Sequence, residues 1–327
     1  MTWHPSPMLR TLAVVLFTTA ACHTPLSEPP PGHDVVVQEP GGAVAFVAIG
    51  DFGDDSPSEA AVAARVRSSS PDVVITLGDN NYPSGERRTI DANVGKYYAS
   101  FIQPYHGEYG PGADRNRFFP SLGNHDWRTR DLEPYLDYFE LPGNERYYDF
   151  VWGPVHFFAL DSDPSEPDGT DVDSTQARWL RAGLDRSTAP WKVVYMHHAP
   201  FSSGEHGSTR NMQWPYQSWG ADLVLAGHDH HYERIERDGT VYLVNGLSGS
   251  PKVYEIRAPI EGSLVRFNEA HGALFGTATP TRLSIAFVTA DGETIDSVTL
   301  DKDETTRPLE AAPVPERGPA DFEAYED

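Results

Sequence analysis

Val73-Val74-Ile75-Thr76-Leu77-Gly78-Asp79-Asn80-Asn81-Tyr82 is the stretch on which the reading turns. Its first five residues are apolar or β-branched and read as a buried strand. The strand runs into a glycine, a carboxylate and, three residues on, a phenol. One carboxylate can bridge two cations, and a phenolate is a hard anionic ligand suited to a trivalent one. The stretch therefore predicts a two-metal site whose other ligands come from polar clusters elsewhere in the chain.

Upstream, Val44 to Ile49 reads as a strand ending at Gly50-Asp51-Phe52-Gly53. Ser56, Pro57 and Glu59 supply an N-cap, a first-turn proline and a capping-box carboxylate for a helix running to about Arg67. Strand, helix and strand form a β-α-β unit, so Asp51 and Asp79 should emerge at the same edge of a parallel pair.

Downstream, a helix is expected around Asp91 to Phe101. Phe118 to Leu122 then delivers Gly123-Asn124-His125-Asp126. Tyr147 to Val151 and Val155 to Leu160 flank Trp152-Gly153-Pro154 as a hairpin, and Asp173 with Gln176 caps a helix through Leu184. Lys192 to Met196 leads to His197-His198, and Leu223 to Ala226 leads to Gly227-His228-Asp229-His230. Val241 to Val244 is a further strand. A hairpin of Arg282–Thr289 and Thr294–Leu300 turns at Asp291-Gly292. Five strands thus end in a metal-competent side chain at the C-terminal edge, where loops of α/β sheets converge. The expected class is α/β, a sandwich of two mixed β-sheets flanked by helices.

Composition narrows the function. Among 327 residues, 48 are acidic and 25 basic, a formal charge of −23 that repels nucleic acids and anionic membranes. A small anion drawn by local cations remains admissible as a partner, whereas nucleic acid is not expected. Thirteen histidines against one cysteine exclude a disulfide scaffold and a thiolate metal site. Arg10, the apolar run Leu12 to Phe17 and the small residues before Cys22 read as a signal peptide, residues 1–22, too short to span a membrane. Two outcomes stay open. Cys22 becomes a lipid anchor to a bacterial membrane, or the signal is cleaved and the protein released. The expected location is periplasmic, outer-membrane lipoprotein or secreted. Residues 23–42 form a Pro-rich spacer, 43–300 the folded domain, and 301–327 an acidic tail without periodicity.

Gly50-Asp51-Phe52-Gly53, Gly78-Asp79-Asn80-Asn81-Tyr82, Gly123-Asn124-His125-Asp126, Val194-Tyr195-Met196-His197 and Gly227-His228-Asp229-His230 resemble the five sequence blocks of the purple acid phosphatases, within the calcineurin-like metallophosphoesterase superfamily. The resemblance implies a four-layer αββα sandwich and an Fe(III) ion paired with divalent Fe, Zn or Mn. It places Asp51, Asp79, Tyr82 and His230 on the ferric ion. Asp79, Asn124, His197 and His228 fall on the divalent one, with Asp79 bridging. It implies an exported acid phosphatase that hydrolyses phosphomonoesters by attack of a metal-bound hydroxide. His125 and His206 are the candidates to assist the leaving group, and Glu205-His206-Gly207 resembles the small mammalian-type members. The spacer is too short for the separate N-terminal β domain of the large plant-type members.

Other readings compete. A phosphodiesterase or nucleotide pyrophosphatase shares the fold, and a non-catalytic phosphate- or metal-binding surface protein could keep the ligands. His198 and His231 directly follow ligands, so their side chains are expected to face away from the site and to be structural, or at most to support a ligand. His156, inside a strand, is expected to be a core hydrogen-bonder; His4, His23 and His33 carry no chemistry. Asp161 to Asp173 holds six acidic residues. It lacks the EF-hand pattern, because Ser165 stands at a ligand position and no closing Glu follows. A solvated loop at the rim of the site is expected there.

Overall fold

The computed structural model describes residues 1–2 and 42–302. Cys22 and the rest of the signal-like segment from residue 3, the spacer to residue 41 and the tail from residue 303 lie outside the described residues.

Thirteen strands form two mixed sheets among the described residues. The first has the spatial order β13 (Thr294–Asp301), β12 (Arg282–Thr289), β11 (Gly272–Ala278), β1 (Val44–Ile49), β2 (Val73–Thr76), β3 (Phe118–Pro120). β1, β2 and β3 are parallel, and β11 to β13 join them as an antiparallel meander. The second sheet runs β10 (Ser263–Phe267), β8 (Tyr232–Arg237), β9 (Thr240–Asn245), β7 (Leu223–Ala226), β6 (Trp191–Tyr195), β5 (Val155–Ala159), β4 (Tyr148–Trp152). Its centre, β9-β7-β6-β5, is parallel.

The period of the strands makes the layers. Phe157, Val193 and Leu225 point into the core shared with the first sheet, while their neighbours Phe158, Val194 and Val224 point outward. Phe46 meets Phe157 edge-on across the sheets at 5.4 Å, and Phe119 stacks on Phe150 at 3.8 Å. On the outer face, Trp179, Leu180 and Leu184 of the helix Thr175–Arg186 cover Phe158 and Val194. Helix α1 (Pro57–Ser69) buries Val62, Ala63 and Val66 in the core that holds the first sheet. The expected αββα sandwich is what forms.

Local details correct the sequence reading. Ser56 caps α1 as expected, its hydroxyl accepting from the Glu59 N–H. The Glu59 carboxylate, however, reaches past the cap to the N–H groups of Asp54 and Asp55. It ties down the turn after Asp51 instead of closing a capping box. The cap of the helix Thr175–Arg186 is Ser174, not Asp173. Gln176 is buried and clamps Asp161, its amide meeting the Asp161 N–H and carbonyl. The single helix expected at Asp91 to Phe101 is a chain of short α, π and 3₁₀ turns from Arg87 to Phe101.

Strands β8, β10 and β11 were not expected. β8 carries alternating charge and β10 is an edge strand. β11 is diluted by Gly272 and Gly276, and a Cβ at Gly276 would lie 2.1 Å from the Phe46 ring. The loop Asp161 to Asp173 is not solvated in its first half: Asp161, Ser162, Asp163 and Glu166 are buried. Arg146 binds Glu166 at 2.9 Å and Asp168 at 3.2 Å, and Trp127 Nε1 donates to Asp161.

Candidate metal centre

The parallel strands end together. Ile49 faces Thr76, Thr76 faces Pro120, and Tyr195 faces Leu225. Asp51, Asp79, Asn124, His197 and His228 follow these ends by two to four residues and meet where the two sheets abut. The backbone makes three sharp turns to aim them. Asp51, Asp79 and His228 have φ of 55°, 52° and 72°, in the left-handed region that costs a non-glycine residue about 1 kcal/mol or more. Gly78, at φ 83°, adds space: a Cβ there would lie 2.6 Å from the His197 imidazole.

The side chains form two groups that share Asp79. In the first, Tyr82 Oη lies 2.9 Å from Asp79 Oδ2 and 3.3 Å from both Asp51 Oδ1 and His230 Nε2. His230 Nε2 is 3.2 Å from Asp51 Oδ1. In the second, His197 Nε2 lies 3.0 Å from Asn124 Oδ1, 3.1 Å from His228 Nδ1 and 3.5 Å from Asp79 Oδ1. The two oxygens of one carboxylate therefore face different groups. All seven residues that the sequence nominated as ligands are brought together.

Donor atoms about 3 Å apart fit a cation at roughly 2.0–2.2 Å from each. The donor chemistry agrees: carboxylate and phenol oxygens dominate one group, imidazole and amide the other. The imidazoles are preset for it. His197 Nδ1 donates to the Leu77 carbonyl at 2.8 Å and His230 Nδ1 to the Lys252 carbonyl, leaving each Nε2 for the centre.

Electrostatics point the same way. Burial, then the charges of Asp79 and Asp51, push the Tyr82 phenol well above its ordinary pKa, so without a cation it keeps its proton. Burial and the neighbouring imidazoles drive His228 far down, leaving it a neutral donor.

The two histidines nominated for proton transfer lie against different ligands, His125 beside Asp79 and Tyr82 and His206 beside His228. The His125 N–H donates to Asp79 Oδ1 at 2.8 Å, and its Nε2 is 3.8 Å from Asp79 Oδ2. Its Nδ1 donates to the Pro83 carbonyl at 2.7 Å, and Arg128 approaches Nε2 at 3.3 Å. His206 is exposed, and its ring stacks on His228 at 4.2 Å between centroids.

Sequence reasoning missed the supports of this arrangement. Buried Asp229 accepts from the N–H groups of His206 (2.8 Å) and Gly207 (3.2 Å) and from the Ser202 hydroxyl, fixing the His206 loop. Its place between His228 and His230 was the only available signal. Asp126, raised to about 7 by burial and then by Asp79, accepts from the Gly123 N–H and the Asn80 amide. Tyr254 stacks on His230 at 4.3 Å, and no motif announces it. His231 is structural as expected, paired with Glu233 at 3.1 Å, and His156 binds Asp149 and Ser187. His198 corrects the expectation. Its ring faces the site, 4.4 Å from that of His228. β6 ends at Tyr195, so strand alternation no longer governs residue 198.

The model of the calcineurin-like phosphoesterases matches residues 44–232, which include every one of these ligands. The chain belongs to the calcineurin-like phosphoesterase family. Purple acid phosphatase 17 of Arabidopsis thaliana is 28% identical over 241 residues, covering 64% of this chain and 69% of that protein. Tartrate-resistant acid phosphatase type 5 of Mus musculus is 25% identical over 301 residues, 78% of this chain and 89% of the mouse protein. The structure of purple acid phosphatase PPD1 from yellow lupin superposes with a TM-score of 0.66 at 19% identity, covering 82% of this chain and 55% of the lupin chain. This phosphoesterase thus has purple acid phosphatases as relatives and is a hydrolase of phosphoric esters, with a His/Asp constellation fit for metal. Among the described residues no helix is long and apolar enough to cross a membrane.

Proposed function

We propose that the protein is an exported purple acid phosphatase that hydrolyses small phosphomonoesters at an Fe(III)–M(II) centre, where M is Fe, Zn or Mn. The observation that carries the reading is the partition of donors around the two oxygens of Asp79, with Tyr82 in one group only. Asp51, Asp79, Tyr82 and His230 would hold the ferric ion; Asp79, Asn124, His197 and His228 would hold the divalent one. When bound, the metal pair supplies a Lewis-acid clamp on the phosphoryl oxygens and an acidified water.

The chain's own groups do the rest. His206 lies beside His228 on a loop pinned by Asp229 and would deliver the proton to the departing alkoxide. His125 has both nitrogens engaged, one toward Pro83 and one toward Arg128, and serves through its backbone N–H to hold Asp79 Oδ1 in place. A polyanionic nucleic acid is disfavoured as substrate by the net charge of −23.

Two measurements test this. Purified protein should contain two metal ions per chain and show a visible phenolate-to-iron charge-transfer band that Tyr82→Phe abolishes. A colourless active enzyme holding only divalent ions would remove the ferric assignment. It should also turn over p-nitrophenyl phosphate faster than bis(p-nitrophenyl) phosphate; the opposite order would make it a diesterase. Export is supported by the apolar run Leu12 to Phe17 with small residues before Cys22, and intact mass of the native protein reads its fate: a lipid-modified chain beginning at Cys22, or an unmodified chain shortened by the signal. A mass that retains Met1 would contradict export.

A further inference from the structure

We propose that His198 is a third imidazole arm of the divalent site, making that site nitrogen-rich and selective for Zn(II) over Mn(II). The inference rests on the two-metal reading of the centre. Its basis is a triangle of rings: centroids of His197 and His228 are 4.8 Å apart, those of His197 and His198 4.9 Å, and those of His198 and His228 4.4 Å. Each of the three offers a ligand atom within 4.8 Å of the other two. Spacing of this kind leaves room for one ion among the three imidazoles.

The second observation is how His198 is held. Its Nδ1 lies 3.0 Å from the hydroxyl of Ser162, which also accepts the His198 backbone N–H at 2.8 Å. Ser162 is buried. The same device sets His197 against the Leu77 carbonyl and His230 against the Lys252 carbonyl. In each case Nδ1 is tied back, which sets the ring angle; the two carbonyls also fix the tautomer, and the Ser162 hydroxyl admits the Nδ1–H form that frees Nε2. Among the described residues, no hydrogen bond occupies Nε2 of His198. Ser162 in turn opens the buried half of the Asp161 loop, so that loop carries the clamp for the third imidazole.

Donor softness decides the metal. Three imidazoles with an amide and one carboxylate oxygen suit Zn(II), whereas Mn(II) favours carboxylate, carbonyl and water. Without His198 the same site has two imidazoles and discriminates less.

The test is titration of the metal-stripped protein with Zn(II) and with Mn(II) by calorimetry, with circular dichroism confirming that each variant is folded. His198→Phe keeps a ring against His228 and removes only the nitrogens. It should weaken one of the two Zn(II) sites about 10- to 100-fold and change Mn(II) binding less, while Ser162→Ala weakens the same site about 10-fold. His197→Ala, which removes a ligand of that site outright, is the control. If His198→Phe binds both ions as tightly as wild type while His197→Ala loses one, the third arm is refuted and the two-metal reading stands. If His197→Ala also binds both ions unchanged, both fall.

Discussion

Asp79→Ala is expected to leave the protein with almost no bound metal and to lower the turnover of a phosphomonoester at least about 10⁴-fold, because the lost carboxylate serves both donor groups. Every other ligand in the arrangement belongs to one group. Asp79 alone places Oδ2 2.9 Å from Tyr82 Oη and Oδ1 3.5 Å from His197 Nε2. Its loss leaves Asp51, Tyr82 and His230 on one side and Asn124, His197 and His228 on the other, with nothing between them. Asp79 also sits at φ 52°, where Asn is tolerated better than Ala, so Asp79→Asn is the partner experiment. It keeps the turn, and the His125 N–H keeps an oxygen acceptor. Metal analysis of Asp79→Asn should find no more than one ion per chain. Two ions in either variant would mean that the carboxylate does not bridge.

His206→Ala is expected to retain both ions and to lose about 10²- to 10⁴-fold in kcat, the range for removing a positioned proton donor. The loss should be smaller with p-nitrophenyl phosphate, whose leaving group needs little help, than with an alkyl phosphate. That contrast separates acid catalysis from a structural role. His206 touches a ligand, since its ring stacks on His228 at 4.2 Å, so His206→Gln, closer in volume, is the companion variant. Metal loss in both variants equal to that of Asp79→Ala would refute the division between ligand and acid.

The sequence disclosed the centre more fully than the fold. The ligands were legible because each is a polar residue at the end of an apolar run, a contrast that survives without knowledge of the partner strands. Tyr82 was legible only by its distance from Asp79. Strands β8, β10 and β11 were not, because alternating charge, an edge position and glycine blur the period that marks a buried strand. The Glu59 and Ser174 corrections have a common cause. Several side chains near a helix start can accept an N–H, and only the path of the preceding turn decides which does. His198 was misplaced by carrying strand alternation past the end of the strand. Asp229 and Tyr254 act through contacts with segments distant in sequence, Ser202 to Gly207 in one case and His230 in the other, and no local pattern encodes such contacts.

The position of the centre at the junction of the sheets bears on how the molecule comes together. Asp51, Asp79, Tyr82 and Asn124 follow strands of one sheet, and His197, His228 and His230 follow strands of the other. Each proposed ion would draw ligands from both. Neither half of the sandwich could then capture metal by itself, and an ion would enter only after the halves have closed in register. From that moment its binding energy would act as a rivet between them, since a ligand that binds only the folded state stabilises it. Loading would thus be a proofreading step for folding: a chain with the two sheets misaligned would stay empty and unriveted.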